Sequence, residues 1–246
     1  MIDLVNEKVV KAGVHMFQMR KFDYFQLAVA FAGLILFILL AIGYTHHLGY
    51  IDWIDQFGFK HIRQPVTPER SWFFRNITRA GNPKWTLIVM TATAIVALLV
   101  RKIDVAVFIV LNVGVFGLGV MALLKHVFHR PRPDIYHVIS QGGFSFPSGH
   151  ALNAVLLYGS LIVLVHYYLK QHDQVRYAIM TLFAALVVAI TLSRVYLGVH
   201  YLSDILAGFG LGTFFLIMSK ELIFKYQTRE VFEHAINSES SANHAE

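Results

Sequence analysis

Two histidines and an aspartate in the second half of the chain have the types and spacing of an acid–base or nucleophilic site. His200 and Asp204 are four residues apart, so on a helix they share one face. A carboxylate beside an imidazole fixes the tautomer of the ring and stabilises its protonated form. The other histidine, His150, begins a separate apolar stretch. Taken alone, the pair fits an interfacial histidine beside a helix-start aspartate better than a catalytic pair.

The segment just before His150 could bind an anion. Ser148 is a favoured type of helix N-cap, and the free backbone N–H groups of a first helical turn attract anions. Gly149 allows the backbone to approach a ligand closely. A plain helix cap after a loop explains the same residues at least as well.

Three basic residues, Lys125, Arg132 and Arg194, accompany the histidines in the sequence. Positive charges of this kind could stabilise the oxygens of a phosphate group. The plain alternative is anchoring at a membrane interface, with the charged ends reaching into water, and it explains one or two of the three well. Arg130 also precedes a proline, so the residues alone do not choose between Arg130 and Arg132.

The elements that must position these residues belong to a membrane protein. The chain has 246 residues, of which 56% are hydrophobic and 15% are charged, and its mean hydropathy is +0.56. A soluble domain carries about 25% charged residues, and a disordered chain combines low hydrophobicity with high charge. Cysteine is absent, which excludes disulfides, thiol nucleophiles and cysteine-based metal or iron–sulfur sites.

Six apolar stretches are candidates to cross a bilayer, whose apolar core of about 30 Å needs about 20 residues per helix. They lie at roughly Tyr24–Tyr44, Trp85–Val100, Ile103–Leu124, His150–Leu169, Val175–Tyr196 and Tyr201–Phe224. We therefore predict an all-α fold, an integral membrane bundle of six transmembrane helices. We assign residues 1–225 to a single membrane domain, with a cytoplasmic or interfacial segment at 1–21 and an outer loop at 45–84. A polar cytoplasmic tail follows at 226–246.

The Lys and Arg content of the short loops predicts the orientation. The N-terminal segment, the connections after spans two and four, and the C-terminal flank lie on one side, and all are basic. We predict that this side is cytoplasmic, that both termini lie there, and that the protein is a multi-pass protein of the plasma (inner) membrane. The histidines and their basic neighbours then lie at span ends on the outer face, where the extra positive charge needs a local cause.

Taken together, these polar segments resemble the type 2 phosphatidic acid phosphatase (PAP2) family. The family pattern is Lys-x6-Arg-Pro, then Pro-Ser-Gly-His, then Ser-Arg-x5-His-x3-Asp. This chain reads Lys125-x6-Arg132-Pro133, Pro147-Ser148-Gly149-His150 and Ser193-Arg194-x5-His200-x3-Asp204. The pattern selects Arg132 rather than Arg130. Three linked motifs in the right order are far more specific than any one of them, and they cover about a third of the chain.

The resemblance implies a role for each motif residue. His200 resembles the nucleophile that attacks phosphorus, Asp204 the residue that orients it, and His150 the acid that protonates the leaving oxygen and then activates water. The residues implied to hold the phosphate oxygens are Lys125, Arg132, Ser148, Gly149, Ser193 and Arg194. Fixed cations could replace the metal ions that many phosphatases use. We predict no metal and no cofactor, and the sequence has neither an HExxH zinc motif nor an Asp/Glu cluster for magnesium.

The resemblance implies a membrane lipid phosphatase of the bacterial type. A site at headgroup level would admit the phosphate of a lipid whose tails stay in the bilayer. The implied substrates are phosphatidylglycerophosphate, phosphatidic acid or undecaprenyl diphosphate. A phosphotransferase would use the same residues. A transporter, from another class, could also place charges in a membrane, but here they cluster at span ends. A nucleic-acid partner is disfavoured because the basic residues are scattered between apolar spans, and nothing in the sequence indicates an oligomeric state.

The outer loop carries one further pattern. Ile51, Ile54, Phe57 and Phe59 predict a short helix that lies along the membrane interface. We expect this loop to form part of the rim through which a lipid reaches the site.

Overall fold

A computed structural model describes the side chains of residues 24–224, and it gives residues 2–23 and 225–243 as backbone continuing the first and last helices. In this part of the chain every regular element is a helix. The α-helices are α1 Ile2–Thr45, α2 Gly49–Gly58, α3 Pro68–Ile77, α4 Pro83–Leu99, α5 Ile103–Ile109, α6 Met121–Phe128, α7 Gly149–Tyr168, α8 Asp173–Tyr196 and α9 Leu202–Asn243. The predicted segment at 1–21 and tail at 226–246 lie outside the residues whose side chains are described.

Five helical spans in the described residues are long and apolar enough to cross a membrane. They are Tyr24–Thr45, Ile103–Phe128, Gly149–Tyr168, Asp173–Tyr196 and Leu202–Phe224. The second of these joins α5 to α6 through a π-helical stretch, Val110–Val120. The protein is therefore an all-α integral membrane protein, and these five spans were predicted to within a few residues.

The remaining predicted span, Trp85–Val100, corresponds to a shorter helix than the other five. The helix there, α4, has 17 residues, fewer than the about 20 that a straight span requires. A sixth span is completed only when α4 is joined to Pro68–Gly81, and the two parts meet at an angle of 45°. The described residues therefore have six crossings only if this bent pair counts as one span, and its bend lies at Asn82.

The predicted outer loop at 45–84 is largely helical. It contains α2, a π-helical turn Phe59–Arg63, α3 and a 3₁₀ turn Thr78–Gly81. Helix α3 begins where Thr67 caps it by accepting a hydrogen bond from the backbone of Arg70, with proline in its first turn. The short helix expected here is present as α2, but Ile51 packs inward against α1 while Phe57 stays exposed to the surroundings.

Helix α7 is the centre of the bundle. Its residues from His150 to Ser160 are all buried. Glycines bring α9 against it, because a Cβ on Gly208 would lie 2.6 Å from the carbonyl oxygen of Ser148. Small residues allow this close approach between membrane helices, as the Gly208-x-x-x-Gly212 spacing predicts. The contact fixes the start of α9 against the start of α7, where the polar motifs lie.

Candidate active site

The structure brings the three polar segments together at one end of the bundle. Lys125 lies in the last turns of α6, Arg194 near the end of α8, and His200 in the turn between α8 and α9. The backbone N–H of Ser148, at the start of α7, donates to the carbonyl oxygen of Asp204 over 3.0 Å. Residues far apart in the sequence therefore share one small region.

The two ring nitrogens of His200 face different partners. Nδ1 lies 3.2 Å from Oδ2 of Asp204, and Nε2 lies 3.2 Å from Nη1 of Arg132. Donation from Nδ1–H to the carboxylate leaves a lone pair on Nε2. Burial lowers the pKa of His200 to about 4, although its hydrogen bond to Asp204 acts in the opposite direction. The ring is therefore neutral at pH 7.

The carboxylate of Asp204 is held from several sides. Its Oδ2 accepts from the backbone N–H of Tyr201 over 2.9 Å and from the hydroxyl of Ser145. Its Oδ1 accepts from Nη1 of Arg130 over 2.6 Å. Because each donor stabilises the negative charge and restricts its orientation, the carboxylate has one fixed position behind His200.

Arg132 is held by backbone carbonyl groups. Nη1 donates to the oxygen of Val199 over 2.6 Å and Nη2 to that of Gly142 over 2.8 Å. Burial lowers the pKa of Arg132, with Asp204 opposing that effect. Within residues 24–224 no carboxylate forms an ion pair with Arg132, so its positive charge is available to an anion.

Lys125 and Arg194 are two further cations without a paired acid among the described side chains. Nζ of Lys125 donates to the carbonyl oxygen of Phe144 over 3.1 Å. Arg194 donates to Thr78 over 2.8 Å and to Gln141 over 2.9 Å, while its Nε is buried with no hydrogen-bond partner in the part of the chain described. An unpaired buried charge such as that of Arg194 is unfavourable. The group formed by Lys125, Arg132 and Arg194 is therefore suited to an anionic ligand.

His150 lies at the start of α7 and is also buried. Its Nε2 donates to Oδ1 of Asn82 over 2.8 Å, at the bend before α4. The ring is close enough to His200 and Arg194 to interact with them electrostatically. Ser148 caps α7 as predicted, accepting from the backbone N–H of Ala151 over 3.4 Å.

Two predicted phosphate ligands, Ser193 and Gly149, make no contact that by itself indicates phosphate binding. The hydroxyl of Ser193 is buried and donates to the carbonyl oxygen of Ile190 within its own helix over 2.5 Å. A Cβ on Gly149 would meet Met121 at an ordinary van der Waals distance of 3.4 Å. The packing of the protein therefore does not itself require glycine at that position.

Sequence reasoning missed several residues that contact the site. The hydroxyl groups of Ser145 and Thr78 and the amide of Asn82 bond the motif residues directly, but they belong to no motif. Arg130, which the residues alone did not separate from Arg132, bonds the two acids Asp204 and Asp55. The one available signal was Asp55, an acidic residue among the apolar positions Ile51, Ile54 and Phe57 of the predicted interfacial helix.

The arrangement of the motifs agrees with a family match. A family model described as the PAP2 superfamily matches residues 105–228, about half of the chain. The chain belongs to the PAP2 superfamily. All three PAP2 motifs fall inside the matched residues, whereas α1 to α4 precede them.

Known PAP2 proteins share both sequence and fold with this chain. Phosphatidylglycerophosphatase B of Bacillus subtilis is 41% identical over 100 residues, which cover 39% of this chain and 48% of that relative. The chain thus spans about half the length of the curated relative that it matches. The crystal structure of a transmembrane PAP2 type phosphatidylglycerolphosphate phosphatase from Bacillus subtilis superimposes with a TM-score of 0.69 at 26% identity, covering 80% of this chain and 96% of that one. LpxE of Aquifex aeolicus shares the fold, with a TM-score of 0.53 at 22% identity, covering 66% and 92% of the two chains.

Proposed function

We propose that this PAP2 protein is a membrane lipid phosphatase that hydrolyses a lipid phosphomonoester or diphosphate through a phosphohistidine. The observation that carries the proposal is the setting of His200, with Asp204 at Nδ1 and Arg132 beside Nε2. A neutral imidazole with an unprotonated nitrogen is a nucleophile, and a covalent intermediate divides one difficult step into two. The adjacent cation would hold the phosphate to be attacked.

The first half-reaction forms a bond from Nε2 of His200 to phosphorus while the bond from phosphorus to the lipid oxygen breaks. Asp204 stabilises the positive charge that develops on the ring. His150 gives its proton to the leaving oxygen. In the second half-reaction, water transfers a proton to His150 and bonds to phosphorus, and the phosphorus–nitrogen bond breaks. Inorganic phosphate leaves, and both histidines return to their starting states.

The phosphate oxygens would be held by the cations of the site. Lys125, Arg132 and Arg194 would neutralise charge on the equatorial oxygens, and Nε of Arg194 supplies a donor not used elsewhere in the described residues. The start of α7 at Ser148 and Gly149 adds backbone N–H groups. Ser193 completes the proposed set, and its hydroxyl would have to leave the carbonyl of Ile190 to reach a phosphate.

We infer that the reaction needs no metal ion. Residues 24–224 contain no group of three or more His, Asp or Glu side chains that could hold one. The three cations would provide the charge stabilisation that a metal supplies in other phosphatases. Metal independence stays a prediction, which an assay in chelator tests.

The proposed substrate is phosphatidylglycerophosphate, because the similar curated protein and the similar crystal structure from Bacillus subtilis are both named for it. Phosphatidic acid and undecaprenyl diphosphate present the same chemistry, a phosphate on a membrane lipid, and are the alternatives to test. We also propose that both termini are cytoplasmic and that the site opens on the outer face of the plasma membrane, as the distribution of Lys and Arg in the loops indicates.

The test is phosphate release from these three lipids by purified protein in EDTA. We expect wild type to release phosphate and His200→Ala to release none. The matched control is His126→Ala, which removes an exposed histidine from α6 and should leave turnover unchanged. Full activity of His200→Ala would contradict the nucleophile assignment, and loss of wild-type activity in EDTA would contradict the metal-free mechanism. Transfer of phosphate to an added alcohol in place of water would indicate a phosphotransferase.

A further inference from the structure

A buried network of charges lies behind the nucleophile. Arg130 is at its centre, where Nη1 donates to Oδ1 of Asp204 and Nη2 donates to Oδ2 of Asp55, each over 2.6 Å. The side chains of Arg130, Asp55 and Asp204 are 7%, 6% and 0% exposed. Because removing one member would leave a buried charge unpaired, the three groups depend on one another.

A serine closes this network on its far side. Oδ1 of Asp55 accepts from the backbone N–H of Ser203 over 2.9 Å and from its hydroxyl over 2.7 Å. The hydroxyl oxygen of Ser203 also accepts from Nη1 of Arg130 over 2.7 Å. Ser203 directly precedes Asp204 in the first turn of α9. Asp55 therefore fixes both the arginine and the helical turn that carries the proposed catalytic carboxylate.

Two aromatic rings hold the faces of the same arginine. The guanidinium carbon of Arg130 lies 3.9 Å from the ring centroid of Tyr201 and 4.9 Å from that of Tyr44 on α1. Cations are attracted to aromatic faces at such distances. With acids at its edges and rings at its faces, the guanidinium has one orientation.

We propose that Asp55 and Arg130 are positioning residues for the reaction: they fix the carboxylate of Asp204 and, through it, the tautomer and direction of His200. The kinetic part of this inference rests on the proposed function of the site. Asp55 comes from α2, which lies outside the three motifs and before the residues that the family model matches. Helix α2, which the sequence predicts to lie along the membrane interface, is thus part of the support of the proposed nucleophile.

A positioning role differs measurably from a purely structural one. The charged groups that act on His200 include Asp204 from α9, Arg132 from the loop before α7, and Arg194 from α8. Of these three, Asp204 contacts Arg130. Removing the positive charge of Arg130 leaves the carboxylate free to stabilise a protonated ring, so the pKa of His200 should rise. Loss of structural support alone would lower the thermal stability and leave that pKa unchanged.

The experiment compares Arg130→Gln with Arg79→Gln, and Asp55→Asn with Asp52→Asn. The two control residues are exposed, and Asp52 lies on α2 like Asp55. We would measure kcat and KM for phosphatidylglycerophosphate in detergent micelles, and Tm in the same detergent. The titration of His200 would be followed by NMR of histidine-labelled protein, with His200→Ala to assign the signal.

A misplacement of about 1 Å at a reacting group can lower turnover about 100-fold. For Arg130→Gln we expect a fall in kcat of about that size, with KM changed by less than about threefold and the His200 midpoint at higher pH than in wild type. For Asp55→Asn, which retains the Arg130 side chain but removes one of the two charges that hold it, we expect a fall in kcat of about tenfold. Both controls should match wild type.

The possible failures can be told apart. Variants that lower Tm but keep the wild-type kcat and His200 midpoint would overturn the inference and leave the proposed function intact. A wild type that releases no phosphate from any lipid would overturn the proposed function, and the His200 titration would still decide whether Arg130 positions the ring. If Arg130→Gln does not fold, Asp55→Asn decides, since a kcat equal to that of Asp52→Asn would overturn the inference.

Discussion

At the scale of single residues, the reactivity proposed for His200 depends on two opposing influences. Burial disfavours the charged ring, while Asp204 favours it. Burial is the larger influence, and it lowers the pKa of His200 to about 4. An unburied histidine has a pKa near 6.5 and would be partly protonated at neutral pH. The site therefore keeps the proposed nucleophile unprotonated at Nε2 through the whole neutral range.

Replacing the carboxylate tests this balance. In Asp204→Asn the ring loses the hydrogen bond and charge that raise its pKa, so we expect the His200 midpoint to fall below about 4. Turnover should fall by roughly 10³-fold or more, because an amide no longer favours the Nδ1–H tautomer or stabilises the charged ring. NMR titration and phosphate release check the two expectations. An unchanged kcat would show that Asp204 has no role in turnover and is only an acidic residue at the start of a helix.

At the scale of elements, close contacts between glycines set where the helices cross. A Cβ on Gly33 of α1 would lie 2.5 Å from the carbonyl oxygen of Gly210 in α9. Real side chains do not approach a backbone this closely, so the two helices can keep their separation only without side chains there. Helix α9 carries Asp204, and α1 thereby supports the site from outside it.

Gly33→Ala should consequently destabilise the folded protein. Overpacking of this kind typically lowers the free energy of unfolding by about 1–3 kcal/mol, and the neighbouring backbone cannot rotate away as a side chain could. Thermal unfolding in detergent measures the effect. The control is Gly49→Ala, where a Cβ meets nothing within 4 Å, and equal Tm values for the two variants would show that the crossing is not tight.

The helices could be predicted from the sequence where they are apolar and straight. Long hydrophobic runs gave five spans, because a bilayer leaves the backbone few choices other than a helix. The bend at Asn82 could not be predicted, since average hydropathy does not depend on the angle between two segments. The helical character of much of the outer loop was also largely missed, because α3 has a mixed polar sequence that contains Glu69, Arg70 and Arg75.

At the scale of the whole molecule, some contacts of the site join residues close in the sequence, and others join residues that only the fold brings together. The contact between His200 and Asp204 could be predicted from their spacing, but His200 lies in the turn before α9 rather than on the shared helix face that we expected. The contact between Asp55 and Arg130 joins residues 75 positions apart, and no periodicity marks such a pair. Position in the folded bundle, rather than residue type, separates Arg130 from Arg132.

The orientation in the membrane can be tested directly, because the chain has no cysteine. Tyr136→Cys and Gln171→Cys place single thiols at exposed positions, in the loop before α7 and in the turn after it. With the site on the outer face, a membrane-impermeant maleimide should label Tyr136→Cys in intact cells. It should label Gln171→Cys only after the membrane is opened. The reverse pattern would place the site on the cytoplasmic face.

The bent span has a consequence for how the protein fits its bilayer. Helix α4, with 17 residues, is about 25 Å long, shorter than an apolar core of about 30 Å. The spans on either side of His200 have 24 and 23 residues, about 36 and 35 Å, and helices longer than the apolar core fit within it by tilting. A helix shorter than the core cannot fit by tilting, so the fit of α4 depends on its junction with the preceding turn at Asn82, the partner of His150. Lipids of different acyl length would therefore act at a residue that contacts the proposed proton donor.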